Sequence, residues 1–255
     1  MTTPPRASQS HRRRAHRHTR AARWLIAATM VLAACATKPP EGAWDPIEPV
    51  NRASFALNDG LDRVLIGPAA RGWRFVLRPA GTRAVDRFFT NLEFPIRFVG
   101  NLLEARPLRA SAEVGRFVVN TTVGVVGLFD PATPIGIGLY DEDIGQAVAG
   151  WGVAEGPYLM VPLLGPATTR DFVTGLADGA LMFGVAGLAR STVGALNSRA
   201  LLFDEINDAR RSSLDYYAFV RNAYLTLRRA QVEDRDPEDS QTGVPDDFYE
   251  IDEEE

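Results

Sequence analysis

The segment from residue 82 to residue 104 alternates apolar and polar side chains with the period of an α-helix, and one proline interrupts it. Before the proline, the apolar positions follow the i, i+3, i+4, i+7 spacing of a single helix face, with Val85, Phe88, Phe89 and Leu92. After Pro95 a second apolar stripe follows, with Ile96, Val99, Leu102 and Leu103. These patterns predict two short amphipathic helices that meet near Pro95.

Helical patterns also cover most of the remaining chain, at 108–121, 169–189, 197–209 and 214–230. A further helix is expected to start at D-P-I-E, with Asp45 as its cap and Pro46 in its first turn. Only residues 157–164 have the composition of an extended segment. The longest apolar run after residue 35 is 181–189, well short of the roughly 18 apolar residues of a spanning helix. The sequence predicts a mostly α protein of short amphipathic helices.

The N-terminal 34 residues have the pattern of an export signal. Residues 1–23 contain arginines and no acidic residue, and the apolar run W-L-I-A-A-T-M-V-L-A-A follows them. The run ends in L-A-A-C, which resembles a bacterial lipobox, and Cys35 is the only cysteine. We therefore expect residues 1–34 to be removed and Cys35 to carry several acyl chains, which anchor a protein stably in a membrane. Ala36 after the cysteine favours the outer membrane over the inner one.

The charge is unevenly distributed along the remaining chain. Without residues 1–34, which hold seven arginines, 21 basic residues face 32 acidic ones, a formal charge of −11. Twelve of the acidic residues lie in 231–255, which predicts a solvated, disordered tail. We expect residues 35–44 to be the lipidated cysteine with its tether, and residues 45–230 to form one domain.

The residue types of this predicted domain exclude most catalytic chemistry. All three histidines lie in the signal, and Lys38 in the tether is the only lysine. Histidine-based nucleophile pairs, histidine metal sites, Schiff-base chemistry and a Walker A motif are therefore excluded. Carboxylate catalysis is still open at Asp141, Glu142 and Asp143, although adjacent acidic residues before a helix more often serve as capping charges. We expect no enzyme activity, metal or other cofactor.

Arginines concentrate between residues 71 and 116, with nine arginines against four acidic residues. They are either ordinary surface charges or the phosphate-facing side of helices lying at a membrane interface. The predicted lipid anchor favours the second interpretation, with headgroup contacts expected from Arg83, Arg87, Arg97 and Arg116. Nucleic acid is not an expected ligand of an exported protein.

The stretch G-W-G-V-A-E-G-P-Y-L-M-V-P-L-L-G-P, residues 150–166, looks like a phosphate-binding glycine loop but fails the spacing test. Its third glycine, Gly156, comes one residue late, and no strand pattern precedes the first. The glycines are better explained as hinges of a protruding loop with an apolar tip at 158–161. Residues expected to act as a gate are Gly152, Gly156, Pro157, Tyr158, Leu159 and Pro162.

Six blocks of the sequence, in order, resemble the VacJ/MlaA family of outer-membrane lipoproteins. They are D-P-I-E-P-V-N-R (45–52), R-F-F-T-N-L-E-F-P (87–95), R-F-V-V-N-T-T-V-G-V-V-G-L-F-D (116–130), E-D-I-G-Q-A-V-A-G-W-G-V-A-E-G-P-Y (142–158), L-L-G-P-A-T-T-R-D (163–171) and S-L-D-Y-Y-A-F-V-R-N-A-Y (213–224). The chain departs from the family pattern at Val50, Arg87 and Glu155.

The resemblance implies a ring of short amphipathic helices in the inner leaflet of the outer membrane, with a polar channel and one extended hairpin loop at about 152–164. It implies extraction of mislocalised outer-leaflet phospholipid, delivery to a periplasmic lipid carrier, and association with trimeric porins. Two alternatives from other classes stay open: a structural lipoprotein bound to porin, and a carboxylate-based enzyme that cleaves peptidoglycan.

Overall fold

The computed structural model describes residues 44–182 and 185–233. The predicted signal, Cys35 and nearly all of the predicted tether and acidic tail lie outside these residues. The first half of the domain is helical, with α1 (Glu48–Leu61), a π-helical turn (Asp62–Ile66), α2 (Gly67–Leu92), α3 (Phe94–Leu103), α4 (Pro107–Thr122) and α5 (Ile144–Gly150). The second half contains β1 (Tyr158–Val161), β2 (Gly165–Thr168), α6 (Thr169–Leu181), α7 (Val185–Ala189), a second π-helical turn (Arg190–Gly194), α8 (Ala195–Leu201), α9 (Phe203–Ser212) and α10 (Tyr216–Val232). The prediction of a mostly α fold with one short hairpin is confirmed.

Prolines and polar caps set the helix starts. A proline stands in the first two positions of α1 to α4, where a missing N–H costs nothing. Side chains cap three later helices by accepting a backbone N–H bond, namely Asp143, Thr168 and Asp215. The predicted start at Asp45 and Pro46 is wrong by two residues, because α1 begins at Glu48.

Three helices differ from their predicted extents. The helix predicted over 169–189 is described as α6 and α7, with residues 183–184 outside the described ranges. Helix α2 begins fifteen residues before the segment used to predict it and is broken at Arg78, where φ is +56°. The break has a local cause, since the residue before a proline is driven out of the α conformation and Pro79 follows. The predicted helix over 197–209 is divided at Leu202 into α8 and α9.

The hairpin pairs Tyr158 with Thr168 and Val161 with Gly165, in antiparallel register. The extended segment predicted at 157–164 contains β1 but misses β2, because L-G-P-A-T has turn residues where a strand signal is expected. The predicted apolar tip at 158–161 is also wrong. Tyr158 and Met160 are buried in an apolar cluster with Tyr217 and Leu225, and the tip is formed by 162–164.

The buried side chains of the domain are mostly polar, and many large apolar side chains are exposed. Among the described residues, fifteen buried side chains are polar or charged and eleven are apolar, and five of those eleven are alanines. Large apolar side chains are instead exposed, and Phe75 and Leu108 each keep 84% of their surface accessible. Soluble domains show the opposite distribution, and a large exposed apolar surface marks contact with a membrane or a partner.

Helices α3 and α4 show this inversion residue by residue. The buried face of α3 carries Arg97 and Asn101, while Leu102 is exposed. The buried face of α4 carries Glu113, Arg116 and Asn120, while Leu108, Val114 and Val118 are exposed. The helical period was predicted correctly, but the polar face points inward. None of the helices in the described ranges combines the length and apolar character that crossing a membrane requires.

Candidate functional site

A cavity of about 710 Å³ opens between α1, the first π-helical turn, the hairpin tip and α8 to α10. Most of its wall is apolar, including Phe55, Leu65, Ile66, Met160, Leu196, Leu202, Ile206 and Val220. Leu163 and Leu164 at the hairpin tip also line it, and each is 72% exposed. This volume lies within the range of small-molecule binding sites, and the apolar wall suits a ligand with hydrocarbon chains.

Two asparagines on one face of α1 hold the hairpin at this cavity. Asn51 accepts a bond from the N–H of Met160 at 2.9 Å and donates to the carbonyl of Tyr158 at 3.0 Å. Seven residues further along the helix, Asn58 accepts from the N–H of Leu163 at 2.8 Å and donates to the carbonyl of Val161 at 3.0 Å. The two amides satisfy backbone groups of β1 and of the hairpin tip as a neighbouring strand would.

The charges on the cavity wall form one compact cluster. Among the described residues that line the cavity, the charged ones are Asp59, Asp62, Arg199 and Arg210. Arg199 holds Asp62 through two nitrogens, at 2.8 and 3.1 Å, and Arg210 reaches the same carboxylate at 2.6 Å. Burial alone would raise the pKa of Asp62, but the bonds from Arg199 and Arg210 hold it below its ordinary value. The wall as a whole is mostly apolar, with its charges in one patch. The polar channel that the resemblance implied stays a prediction.

The residues predicted to act as a gate occupy three different environments. Gly152 and Gly156 have φ of +91° and +70°, which a glycine adopts without strain, and both precede the hairpin. Pro157 anchors the base of the hairpin, because its carbonyl accepts from the N–H and the hydroxyl of Thr169. Tyr158 is buried and Leu159 half-buried in β1, whereas Pro162 is exposed at the tip. The gating role of this set stays a prediction.

Glu155, which departs from the family pattern, forms an ion pair with Arg229 in α10. Its carboxylate accepts a bond from Arg229 at 2.7 Å, and its side chain is largely buried. This ion pair ties the glycine-containing segment to the last helix. The residue is therefore placed to fasten the segment before the hairpin.

Three of the four predicted interface arginines meet at a second, smaller cavity of about 30 Å³. Arg87, Arg97 and Arg116 line it together with Asn91, Asn120 and Asp130. Arg97 and Arg116 are buried in ion pairs, with Glu113 at 2.8 Å and with Asp130 at 2.8 Å. Arg87 and Arg83 are exposed on α2. Headgroup contact stays a prediction for all four, and for the two buried arginines it would compete with a carboxylate already in place.

The three consecutive acidic residues Asp141, Glu142 and Asp143 lie in different environments. Asp141 is exposed, whereas Glu142 is buried and accepts from Arg106 at 3.0 Å. Asp143 caps α5, as expected of an acidic residue before a helix, and pairs with Arg228 at 2.7 Å. In the described ranges no group of histidine, cysteine, aspartate or glutamate side chains is arranged to hold a metal ion.

A carboxylate that the sequence did not single out lies beside this triplet. Burial, and next the charge of Asp143, raise the pKa of Asp178 to about 6. Its Oδ1 accepts the backbone N–H of Ile144 at 3.3 Å, so it connects α6 to the start of α5.

Sequence reasoning missed Asn51, Asn58 and the four cavity charges. Asn51 stood within the D-P-I-E-P-V-N-R block, and its spacing of seven from Asn58 was a visible signal for one helix face. The Asp62–Arg199 pair spans 137 residues and left no local signal.

Comparison with known proteins agrees with the fold. A sequence profile of the family described as MlaA lipoprotein matches residues 43–231. The intermembrane phospholipid transport system lipoprotein MlaA of Escherichia coli strain K12 is 30% identical over 212 residues, which are 79% of this chain and 84% of that protein. The Haemophilus influenzae protein of the same name is 28% identical over 240 residues, which are 88% of this chain and 94% of that protein. A solved structure described as the structural basis for maintenance of bacterial outer membrane lipid asymmetry is 29% identical with a TM-score of 0.66, covering 74% of this chain and 98% of that one. The chain therefore belongs to the MlaA lipoprotein family.

Proposed function

We propose that this protein is an outer-membrane lipoprotein that removes mislocalised phospholipid from the outer leaflet and passes it to a periplasmic lipid carrier. It thereby maintains the lipid asymmetry of the outer membrane, and it acts as a transporter without enzyme activity. The relatives named for intermembrane phospholipid transport support the substrate class. The transfer route and the carrier are parts of the proposal.

The observation that carries the proposal is a large, mostly apolar cavity in a domain whose other large apolar side chains are exposed. Apolar side chains such as Phe75 and Leu108 face outward, where acyl chains would cover them, and polar side chains fill the interior. The cavity offers apolar walls for lipid tails beside one charged patch for a headgroup. An amphiphile matches both parts.

In this proposal the acyl chains on Cys35 hold the protein at the periplasmic face of the outer membrane, and the exposed apolar helix faces lie in the inner leaflet. A trimeric porin is the proposed membrane partner. Since the sequence contains no Walker A motif, lipid would move downhill or be drawn by partners across the periplasm.

The direct test is native mass spectrometry of the full, detergent-purified protein. Bound phospholipid is the expected result. Porin that co-purifies without any phospholipid would support a structural lipoprotein instead. Release of muropeptides by the purified protein, abolished by one Glu→Gln substitution, would support the peptidoglycan-cleaving alternative.

The hairpin is the proposed gate, and a disulfide tests it. Leu163 at the tip and Asn58 on α1 are hydrogen-bonded neighbours, with 2.8 Å from the backbone nitrogen of Leu163 to Asn58 Oδ1, and we choose these two positions for the cysteines. We expect the oxidised Asn58→Cys, Leu163→Cys protein to let outer-leaflet phospholipid accumulate and to sensitise cells to detergent. Reduction should restore the barrier, and each single cysteine variant is the control. Unchanged outer-leaflet lipid in the oxidised double variant would overturn gating.

A further inference from the structure

The four charges on the cavity wall, Asp59, Asp62, Arg199 and Arg210, differ in how their ion-pair partners are shared. Arg199 binds Asp62 through two nitrogens and also contacts the Asn207 side chain at 3.2 Å. It lies over the Phe203 ring, with 5.1 Å from the guanidinium carbon to the ring centroid. Arg199 is buried and tied on several sides, so it is a fixed part of the wall.

Arg210 also contacts Asn207 at 3.3 Å and lies 5.4 Å from the centroid of the Tyr216 ring, but each of its two carboxylate partners is shared with a second arginine. Its Nη2 lies 2.6 Å from Asp62, which Arg199 also holds. Its Nε lies 2.9 Å from Asp59, whose other oxygen pairs with Arg63 at 2.7 Å. If Arg210 turned to a ligand, each carboxylate would keep one arginine, which avoids the large cost of a buried unpaired charge.

The contact between Arg210 and Asp59 is also incomplete. Although the two atoms are close, neither Arg210 Nε nor Asp59 Oδ1 has a hydrogen-bond partner of good geometry within the described part of the chain. Both atoms are buried, and both residues line the cavity. A buried donor and a buried acceptor that lack good partners are groups that a ligand could satisfy.

The charge balance of the wall discriminates between headgroups. Two aspartates and two arginines cancel, so the wall offers a net anionic headgroup no net attraction. A zwitterionic headgroup, with a phosphate and an ammonium, can address both signs in neighbouring positions. Arginine's planar donors suit the phosphate, and carboxylates suit the ammonium.

We infer that Arg210, Asp59 and Asp62 form a headgroup site that takes a zwitterionic phosphodiester lipid in preference to an anionic one, with the phosphate on Arg210 and the ammonium on the carboxylates. This inference rests on the proposed function in phospholipid transport and adds the class of lipid. Arg199 is the positioning residue that keeps Asp62 in place when Arg210 engages the phosphate.

The test offers the full detergent-purified protein equimolar phosphatidylethanolamine and phosphatidylglycerol in mixed micelles, and measures both bound lipids by native mass spectrometry. For the wild type we expect an excess of the zwitterionic lipid of about fivefold, the scale that one partly exposed ion pair supports. Asp59→Asn should shift the ratio toward the anionic lipid by about the same factor. Arg210→Gln should lower the occupancy of both lipids.

The matched control is the Arg74–Asp204 pair, which is exposed and does not line the cavity. Arg74→Gln and Asp204→Asn should leave the bound-lipid ratio unchanged. Arg210→Lys keeps the charge and guards against misfolding of Arg210→Gln, and it should retain phospholipid with a weaker preference.

Two different results would overturn the headgroup site and the proposed function. If the wild type binds both lipids in the micelle ratio and Asp59→Asn does not move that ratio, the headgroup site is overturned while phospholipid transport stands. If the wild type binds neither lipid, the proposed function falls, and the headgroup site falls with it.

Discussion

Asn51 on α1 binds Tyr158 and Met160, more than one hundred residues away, through the two ends of one buried side-chain amide. The amide replaces a missing strand neighbour, and the same side chain also donates to Asp45 at 2.7 Å. The hairpin is therefore attached to the helix through hydrogen bonds as well as apolar packing.

Asn51→Ala should destabilise the protein by about 2–3 kcal/mol, because it leaves a buried N–H and a buried carbonyl unsatisfied. Asn58→Ala removes a similar pair of bonds nearer solvent, so water can replace them, and about 1 kcal/mol is expected. Thermal unfolding in detergent measures both. Equal losses of unfolding free energy for the two variants would contradict the claim that burial makes the Asn51 hydrogen bonds more costly to lose.

Glu113→Gln should cost about 3–5 kcal/mol, because the buried Arg97 guanidinium loses its nearer charged partner and keeps the more distant Glu93, at 3.8 Å. A double variant, Arg97→Met with Glu113→Leu, should recover much of that loss, since the buried charge disappears with its partner. Asp208→Asn at the exposed Arg211–Asp208 pair is the control, with a change below about 0.5 kcal/mol. A double variant less stable than Glu113→Gln alone would contradict this account.

The stability contributed by Asp178 changes with pH in the opposite direction to that of the carboxylates held by arginines, such as Asp62 and Asp171. The pKa of Asp178 is raised to about 6 from an ordinary 3.8, by burial and then by Asp143. Between these two values the folded state binds more protons than the unfolded state, so this group's contribution to stability falls as pH rises and is flat above about pH 7.

Asp178→Asn should therefore stabilise the protein at pH 7.5 by about 1–2 kcal/mol, a range reduced for the partial solvent access of the group, and by less at pH 5. Asparagine keeps an oxygen for the Ile144 N–H. Chemical denaturation at the two pH values checks the difference. A variant that gains no more at pH 7.5 than at pH 5 would contradict the raised pKa.

Gly145→Ala should destabilise the junction of α5, α6 and α10 by about 2 kcal/mol or more. A Cβ there would lie 2.5 Å from an Arg228 nitrogen and 2.9 Å from both Asp171 Oδ1 and Thr174 Oγ1. Gly175→Ala in α6 is the matched control, because nothing lies within 4 Å of its Cβ position and alanine favours a helix by about 1 kcal/mol. The two substitutions should thus shift the melting temperature in opposite directions.

Several elements could be predicted from the sequence because their causes are local. Apolar spacing after Pro95 predicted α3, the helical pattern at 108–121 predicted α4, and the predicted extended segment at 157–164 contains β1. The second strand could not be predicted in this way, because Gly165 and Pro166 are turn residues, and they become a strand only by pairing with β1. The start of α1 was misplaced because Asp45, a plausible cap, accepts bonds from Tyr217 and Arg221 instead.

By itself the sequence determined the short helices and the family, since helical period and block order are properties of the chain read along its length. Only the tertiary structure decided which face of each helix points inward. An amphipathic stripe is equally compatible with polar residues facing water and with polar residues facing a closed interior, as Arg97 and Asn101 do. The tertiary structure also brought Asp59 and Asp62 to Arg199 and Arg210, because ion pairs between distant segments form only when packing places their helices side by side.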